Sequence, residues 1–198
     1  MNDTETVEMQ ERTEEVIMRK VVASEFVSLD GVMESPEKWQ FPYFNDEMGE
    51  ALGTQMFASD ALLLGRATYE EFAGAWPSRS GNPFSEYMNN VPKFVVSTTL
   101  RKAEWNNSTL IKENIAEEIT KLKQQPGKNI SITGSGTLVQ SLMQADLIDE
   151  YQLLVCPVVV GSGKRLFEDE GDQKALKLVD SKIFSTGVVY LAYQPAAK

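Results

Sequence analysis

The hydrophobic pattern of the chain switches repeatedly between the two-residue period of strands and the 3.6-residue period of helices. Residues Val21–Val27 alternate, and Ala61–Leu64 form the short continuous apolar run that is typical of a strand covered on both faces. Strands are predicted at Val21–Val27, Ala61–Leu64, Lys93–Ser97, 130–133, Tyr151–Val160 and Val188–Tyr193. Helices are predicted from Asn45 or Asp46 to Phe57, from Gly65 to Phe72, at Phe84–Asn89, at Ile115–Gln124, and from Leu138 onwards.

The order of these elements predicts the fold class. Strands that alternate with helices indicate an α/β domain around a largely parallel sheet. The last two strands have no predicted helix between them and are therefore expected to be antiparallel. Residues 1–17 stand apart, because six acids against one base give this segment half of the net charge of −10. We predict a poorly ordered acidic extension at 1–17 and a single domain at 18–198.

Three strand ends carry residues that suit a phosphate or a ribose. The strand at 130–133 turns on Gly134 and Gly136 into a helix, so that free backbone N–H groups and the positive end of the helix dipole face one point. The other two ends read Leu64-Gly65-Arg66-Ala67-Thr68 and Val96-Ser97-Thr98-Thr99. Each end has a local alternative, since a glycine can serve a tight turn, an arginine can be solvated and a serine can cap. Three such ends on one sheet edge favour a nucleotide, because ligands of open α/β sheets bind beyond the carboxyl ends of the strands.

The glycine pattern does not match the two best-known nucleotide motifs. A Rossmann fingerprint that starts at Gly134 needs glycine or alanine at the position of Val139. Residues 161–164 (GSGK) lack the upstream glycine of a P-loop, where Val158 stands, and the following Ser or Thr, where Arg165 stands. The expectation of phosphate binding therefore depends on the strand ends and not on a motif.

Composition excludes several partners and chemistries. The net charge of −10 and the pI near 4.6 argue against nucleic acid and against an anionic membrane surface. One cysteine gives no disulfide framework and no apolar run reaches the roughly 20 residues of a membrane span, so a cytoplasmic setting is expected. The absence of histidine excludes the usual serine–histidine and cysteine–histidine hydrolases and histidine-ligated zinc, and no compact acidic cluster predicts another metal site. A cofactor is therefore expected to supply the chemistry.

Several segments, in order, carry a resemblance to a known family. They are residues 28–31 (SLDG), 64–70 (LGRATYE), 96–98 (VST), 134–138 (GSGTL) and the closing stretch from Leu147 to Gly161. Together they resemble the dihydrofolate-reductase-like superfamily, and more closely its branch related to the C-terminal reductase domain of the bacterial bifunctional deaminase-reductase of riboflavin biosynthesis. The resemblance covers about residues 19–194. It implies a three-layer fold in which helices flank a mostly parallel mixed sheet.

The resemblance also implies NADPH as the cofactor, and a homodimer. The adenosine 2′-phosphate and the pyrophosphate are expected near Gly65, Arg66, Thr68, Ser97 and Thr98. The remaining phosphate and the nicotinamide side are expected at Gly134, Ser135, Gly136, Thr137 and Leu138. The loop Asp30–Trp39 is expected to close over the reacting carbons.

Two positions depart from the family pattern. Folate reductases carry a catalytic carboxylate five residues after a tryptophan, but here Phe44 stands at that distance from Trp39 and cannot deliver a proton. Asp46, which could equally cap a helix, and Asp30 are the candidate proton donors. Riboflavin-pathway reductases commonly place a glutamate where Thr133 stands, and each lost charge-assisted hydrogen bond is worth about 1.5–3 kcal/mol. Folate reduction and the phosphoribosylaminopyrimidine substrate are both disfavoured by these departures.

Aromatic residues predict a pocket for a flat heterocycle, with core and loop packing as the alternative. With Thr133, the predicted substrate site comprises Trp39, Phe41, Tyr69 and Trp76, and Tyr43 lies in the same aromatic set. The predicted function is an NADPH-dependent reductase that transfers hydride to a small heterocyclic or imine substrate and resembles the 5-amino-6-(5-phosphoribosylamino)uracil reductase. The alternatives are a nucleotide-binding or small-molecule-binding protein without turnover on the same fold, and a dihydrofolate reductase, which Phe44 disfavours.

Overall fold

The computed structural model describes residues 18–167 and 173–196, so the predicted acidic extension lies outside the described residues. The strands are β1 (Val21–Ser28), β2 (Ser59–Gly65), β3 (Lys93–Val96), β4 (Ser108–Ile111), β5 (Asn129–Ile132), β6 (Glu150–Cys156), β7 (Leu176–Ile183) and β8 (Val189–Pro195). The α-helices are α1 (Asp46–Phe57), α2 (Arg66–Ala75), α3 (Pro83–Asn90), α4 (Ile115–Gln124) and α5 (Gly136–Gln144). Within the described ranges, none of these helices is long and apolar enough to cross a membrane.

All of these strands form one sheet in the order β4-β3-β2-β5-β1-β6-β8-β7. Neighbouring strands from β4 across to β6 are parallel, whereas β8 runs antiparallel to both β6 and β7. This arrangement confirms the predicted α/β class with its antiparallel C-terminal end. Because parallel strands point the same way, the carboxyl ends of β1 to β6 lie at one edge of the sheet.

Most predicted elements are present within one or two residues, but three differences have clear causes. The strand predicted at Tyr151–Val160 ends at Cys156, because Pro157 has no N–H to donate to a ladder. Strand β4 was not predicted, since its four residues are half polar and too few to show a period. Strand β7 was also not predicted, because it is an edge strand whose side chains are exposed on both faces and do not alternate.

The face of the sheet that packs against α4 and α5, here called the α5 face, carries one continuous apolar core. Ala61 and Leu63 of β2 point to it, as do Ile130 and Ile132 of β5. The helices contribute Ile119, Leu122, Leu138, Val139 and Leu142. Nearly all of these side chains are fully removed from solvent, so this face supplies most of the burial that stabilises the fold.

The opposite face, here called the α1 face, has its apolar residues in two separate clusters. One lies around Met48 of α1 over β6 and β8, and the other around Tyr69 of α2 and Met88 of α3 over β2 and β3. The central strands β5 and β1 lie between these clusters in the sheet order. At that place the face carries polar side chains, including Ser24 and Ser131. The core on this side is therefore interrupted at the middle of the sheet.

Candidate active site at the carboxyl edge of the sheet

The ends of β2 and β5 contact each other directly at the carboxyl edge. The Gly65 N–H donates to the Gly134 carbonyl at 3.5 Å, and a Cβ added at Gly65 would overlap Ser135 and lie 3.2 Å from its backbone nitrogen. A Cβ added at Gly134 would lie 2.7 Å from Thr68 Oγ1, and Gly134 has a φ of +92°, where only glycine is unstrained. Two of the three predicted strand ends therefore form one contiguous surface that requires glycine in both.

The helices that start at this surface have no side-chain caps. Ser135 and Gly65 are the N-cap residues of α5 and α2, and neither accepts a hydrogen bond from its helix through a side chain. By contrast, Asn45 accepts from the Met48 N–H at 3.0 Å in α1, and Asn82 caps α3 in the same way. No cap side chain therefore satisfies the first-turn N–H groups of α2 and α5, which is the arrangement that an anionic ligand requires.

The loop after β1 also reaches this surface. A Cβ added at Gly136 would lie 2.6 Å from Met33 Sδ, so the loop residue Met33 covers the start of α5. This loop is tied to residues 157–166, since the Met33 N–H donates to the Lys164 carbonyl at 2.9 Å and the Leu166 N–H donates to the Gly31 carbonyl at 3.0 Å. The loop that is predicted to close over the reacting carbons thus lies beside the glycine turn.

Asp30, a predicted proton donor, anchors these two loops to each other. Its carboxylate accepts from the Ser28 hydroxyl at 2.7 Å, the Val160 N–H at 3.0 Å and the Gly161 N–H at 2.8 Å. These bonds, of which that from Ser28 is the strongest, lower the pKa of Asp30 to about 2. A carboxylate held in its ionised form in this way is suited to fixing the loops and poorly suited to general-acid catalysis at neutral pH.

The remaining predicted cofactor residues lie around the same edge in different environments. β3 pairs with β2 through Val96 and Gly65, which places Ser97 beside the turn, although its Oγ already accepts from the Thr99 N–H at 3.2 Å and the Leu100 N–H at 2.9 Å. The half-exposed Arg66 guanidinium pairs with Glu70 at 3.2 Å instead of contacting the glycine turn. Thr98 and Thr137 are exposed, and Leu138 is buried in the core of the α5 face.

Glu25 of β1 is a site residue that the sequence reasoning missed. Its Oε1 accepts from the Gly134 N–H at 2.7 Å, and the residue is 6% exposed. Burial raises the pKa of Glu25 to about 8, against the opposing effect of the Gly134 hydrogen bond. At neutral pH the carboxyl is therefore protonated, and it holds the turn without placing a negative charge beneath it. The signal that could have identified it is that Glu25 is the one charged residue of a largely buried strand.

A cavity of about 140 Å³ opens where the core of the α1 face is interrupted. Its polar lining comes from the strands and from the end of α1: Ser24, Ser59, Asn129, Ser131, Thr133, Gln152 and Gln55. Apolar side chains of α1 and α3, including Met56 and Met88, close the sides. Only Thr133 of this set was predicted. The signal that was missed is a serine between two buried isoleucines, which puts a hydroxyl on the opposite face of a central strand.

The predicted aromatic pocket is not assembled. Tyr69 and Trp76 belong to the apolar cluster of α2 and α3, where the Tyr69 hydroxyl accepts from the Trp105 N–H at 2.9 Å. Trp39 packs against the other cluster, beneath α1, and Phe41 is 66% exposed. None of the four lines the cavity, although Tyr69 also borders a separate open cleft beside α2.

The other acidic candidate, Asp46, lies at the first position of α1 and is exposed, and it does not line the cavity. Asn45, and not Asp46, is the residue that caps α1, so the alternative role of Asp46 as a helix cap is excluded. Phe44 is partly exposed and lies against Gly49 of α1. Within residues 18–167 and 173–196, no group of three or more acidic or cysteine side chains is placed to hold a metal ion.

The chain is similar in sequence and in structure to several known proteins. The uncharacterised protein YyaP of Bacillus subtilis is 30% identical over 187 residues, which cover 91% of this chain and 97% of that protein. A Shewanella protein provisionally assigned to riboflavin biosynthesis has a similar structure, with a TM-score of 0.73 at 22% identity, over 91% of this chain and 100% of that chain.

Dihydrofolate reductase from Enterococcus faecalis, solved with NADP(H) and an inhibitor, has a TM-score of 0.61 at 17% identity, over 90% of this chain and 97% of that chain. These likenesses confirm the dihydrofolate-reductase-like fold that the motifs implied. The model of the RibD C-terminal domain matches residues 19–190, and the chain belongs to this family.

Proposed function

We propose that the protein is an NADPH-dependent reductase that transfers hydride to a small substrate held in the polar cavity. The observation that carries the proposal is that the end of β5 leads both into the cavity and into the glycine turn. Thr133 lines the cavity, and the next residue, Gly134, begins the turn into the uncapped helix α5. A nucleotide at the turn and a substrate in the cavity are thereby adjacent. Membership in a reductase-related family and the likeness to an NADP(H)-bound dihydrofolate reductase support the same assignment.

The residues at the edge fit this cofactor. The open N–H groups of α2 and α5 suit its phosphates, and the glycines at 65 and 134 keep the surface free of side chains. Arg66 is half exposed at the first position of α2, where its guanidinium suits the 2′-phosphate once it leaves Glu70. When bound, NADPH supplies a hydride from its nicotinamide ring.

The chain itself contributes orientation, a partly dry site and control of charge. The hydroxyls of Ser131 and Thr133 orient the substrate, and the apolar walls from α1 and α3 limit the entry of water. Asp30 and Asp46 remain the predicted proton donors, but neither lines the cavity, and this geometry favours a proton from solvent. Asp30→Asn and Asp46→Asn variants test this point, because an unchanged kcat at neutral pH in either variant excludes that carboxylate as the donor.

The cofactor assignment is tested by thermal unfolding with NADPH and NADH. We expect NADPH to raise the Tm more than NADH does, since loss of the 2′-phosphate contacts costs about 1.5–3 kcal/mol, or roughly 10- to 150-fold in affinity. Arg66→Ala should remove the difference between the cofactors. Arg79→Ala is the matched control, because Arg79 is exposed and stacks on Trp76 at 4.7 Å, beyond the end of α2. Equal shifts from both cofactors in the unsubstituted protein contradict the assignment.

A second candidate function is a nucleotide-binding protein without turnover. The observation that favours it is the absence of Asp and Glu among the described residues that line the cavity. Anaerobic incubation with NADPH and a panel of pterins, pyrimidines and imines separates the two, because oxidation of NADPH above the enzyme-free control rules out the non-catalytic alternative. Assembly as a homodimer remains a prediction, which sedimentation measurements can test.

A further inference from the structure

We propose that the cavity binds an uncharged substrate without a phosphate group, about the size of a single ring, through an N–H group of that substrate. This inference rests on the proposed reductase function and names the substrate class of the same site. It is carried by the charge of the lining, by one unpartnered acceptor and by the size of the cavity.

The lining carries no formal charge. Among the described residues that surround the cavity, the polar groups are hydroxyls and amides only. A buried phosphate needs arginine, lysine or free helix N–H groups, and an unpaired charge in a partly dry site is costly. The ammonium group of Lys128, beside the lining residue Asn129, is not in the lining and donates to the Phe57 carbonyl at the end of α1 at 2.9 Å.

The helix starts near the cavity also offer little to an anion. From α1 the cavity receives residues of the last turns, such as Gln55 and Met56, and not the N-terminal N–H groups. The start of α3 does reach the cavity through Phe84, but Asn82 already accepts from the Ser85 N–H at 2.9 Å in its first turn. The uncapped helix starts beside the contact between Gly65 and Gly134 are those of α2 and α5, which the cofactor phosphates are proposed to use.

Gln55 provides the specific contact. Burial raises the pKa of the neighbouring Tyr190 phenol to about 12, and the Gln55 side chain opposes this effect. The Oε1 atom is buried and accepts no hydrogen bond from any described residue. A buried acceptor without a partner is destabilising, and a ligand N–H that reaches it gains the full value of the bond. The free acceptor therefore selects a ligand that carries a donor.

The size of the cavity limits the substrate to a compact molecule. Its volume of about 140 Å³ is well below the roughly 300–1,000 Å³ of pockets that bury drug-sized ligands. In the proposed reaction a hydride from NADPH adds to the carbon of a C=N or C=O group and forms a new C–H bond. The nitrogen or oxygen of that group, which receives the π electrons, takes a proton from water, and NADPH becomes NADP⁺.

The test compares uracil, a neutral single ring with N–H donors, with uridine 5′-monophosphate as the phosphorylated counterpart. Calorimetric titrations are run with and without saturating NADP⁺. We expect uracil to bind at least tenfold more tightly than the phosphorylated compound. Equal or tighter binding of the phosphorylated compound overturns the proposal, and so does failure of uracil to bind. The Tm shift with NADPH in the same samples reports separately on the reductase proposal, because cofactor binding does not depend on which substrate fits.

Gln55→Leu removes the free acceptor while it keeps the side chain close in size. We expect this variant to weaken uracil binding at least tenfold and to keep the Tm shift with NADPH, which also shows that it is folded. Gln124→Leu, at an exposed position of α4, is the matched control and should bind uracil normally. Unchanged uracil affinity in Gln55→Leu contradicts the role of the acceptor.

Discussion

The α5 face and the α1 face of the sheet share strand β5 but use its residues in opposite ways. Ile130 and Ile132 are fully buried against α4 and α5, while Ser131 and Thr133, at the alternate positions, line the cavity under α1. Because successive side chains of a strand point to opposite faces, one short segment serves both a core and a site. The comparison teaches that stability and ligand binding should respond separately to substitutions at neighbouring positions.

The same contrast holds for β1, with one exception. Val21 and Ala23 join the core of the α5 face, and Ser24 lines the cavity. Glu25 faces the Gly134 turn and is the buried acid that links the end of the core to the site. The α5 face is therefore apolar up to the carboxyl edge, where a neutral carboxyl holds the Gly134 turn in place.

The largest expected effect is a difference in the free energy of unfolding between substitutions on the two faces of β5. Ile132→Ala should lower the free energy of unfolding by about 2–5 kcal/mol, because it leaves a cavity in a continuous core. Ser131→Ala, its neighbour on the cavity side, should change it by less than about 1 kcal/mol while weakening substrate binding. Urea denaturation measures both. Similar losses for the two variants would contradict the division of roles between the faces.

The next effect concerns the turn where the two uses of β5 meet. Gly134→Ala should cost about 1–3 kcal/mol, because φ is +92° and the new Cβ would lie 2.7 Å from Thr68 Oγ1, and it should abolish the Tm shift with NADPH. The matched control is Gly53→Ala within α1, where a Cβ meets nothing within 4 Å. That variant should gain about 0.5–1 kcal/mol and keep the shift. If Gly134→Ala still shows the Tm shift with NADPH, the turn does not take part in cofactor binding.

Glu25 makes stability depend on pH in a defined direction. Its pKa is about 8 when folded against an ordinary value of 4.5, so between these values the folded protein holds a proton that the unfolded chain lacks. This contribution to stability is complete below pH 4.5 and is lost as pH rises through 8, at about 1 kcal/mol per pH unit. Glu25→Gln keeps an acceptor for the Gly134 N–H and should flatten the profile. Denaturation at several pH values from 5 to 9 measures the slope in the unsubstituted protein and in Glu25→Gln. Equal slopes would show that Glu25 is ionised in the folded protein and would contradict the prediction.

The smallest effect compares helix starts on the two faces. Asn82→Ala should cost about 1 kcal/mol, because Asn82 caps α3 on the α1 face. Ser135→Ala should cost less than about 0.5 kcal/mol, because the Ser135 side chain makes no cap hydrogen bond to α5. Thermal unfolding of both variants checks the difference. A large loss for Ser135→Ala would show that the start of α5 is closed to a ligand by its own side chain.

Several elements could be predicted from the chain alone because their signals are local. The helix α4 was predicted with its bounds, Ile115–Gln124, and α1 was predicted to start at Asn45 or Asp46 and to end at Phe57. The strand that turns on glycines into a helix at 134–136 was also visible, since glycine and apolar spacing mark it within a dozen residues. Edge strands such as β7 lack this signal, because solvent on both sides removes the alternation.

The candidate site could be predicted only in part, for the same physical reason. Glycine turns are recognised locally, but the Glu25 carboxyl meets the Gly134 N–H across 109 residues of sequence, and no local pattern records that contact. Likewise, Trp39 and Tyr43 pack in one cluster of the α1 face, whereas Tyr69 and Trp76 pack in the other. Periodicity tells which residues share a face, whereas the packing of distant elements decides which polar groups are buried there and what they meet.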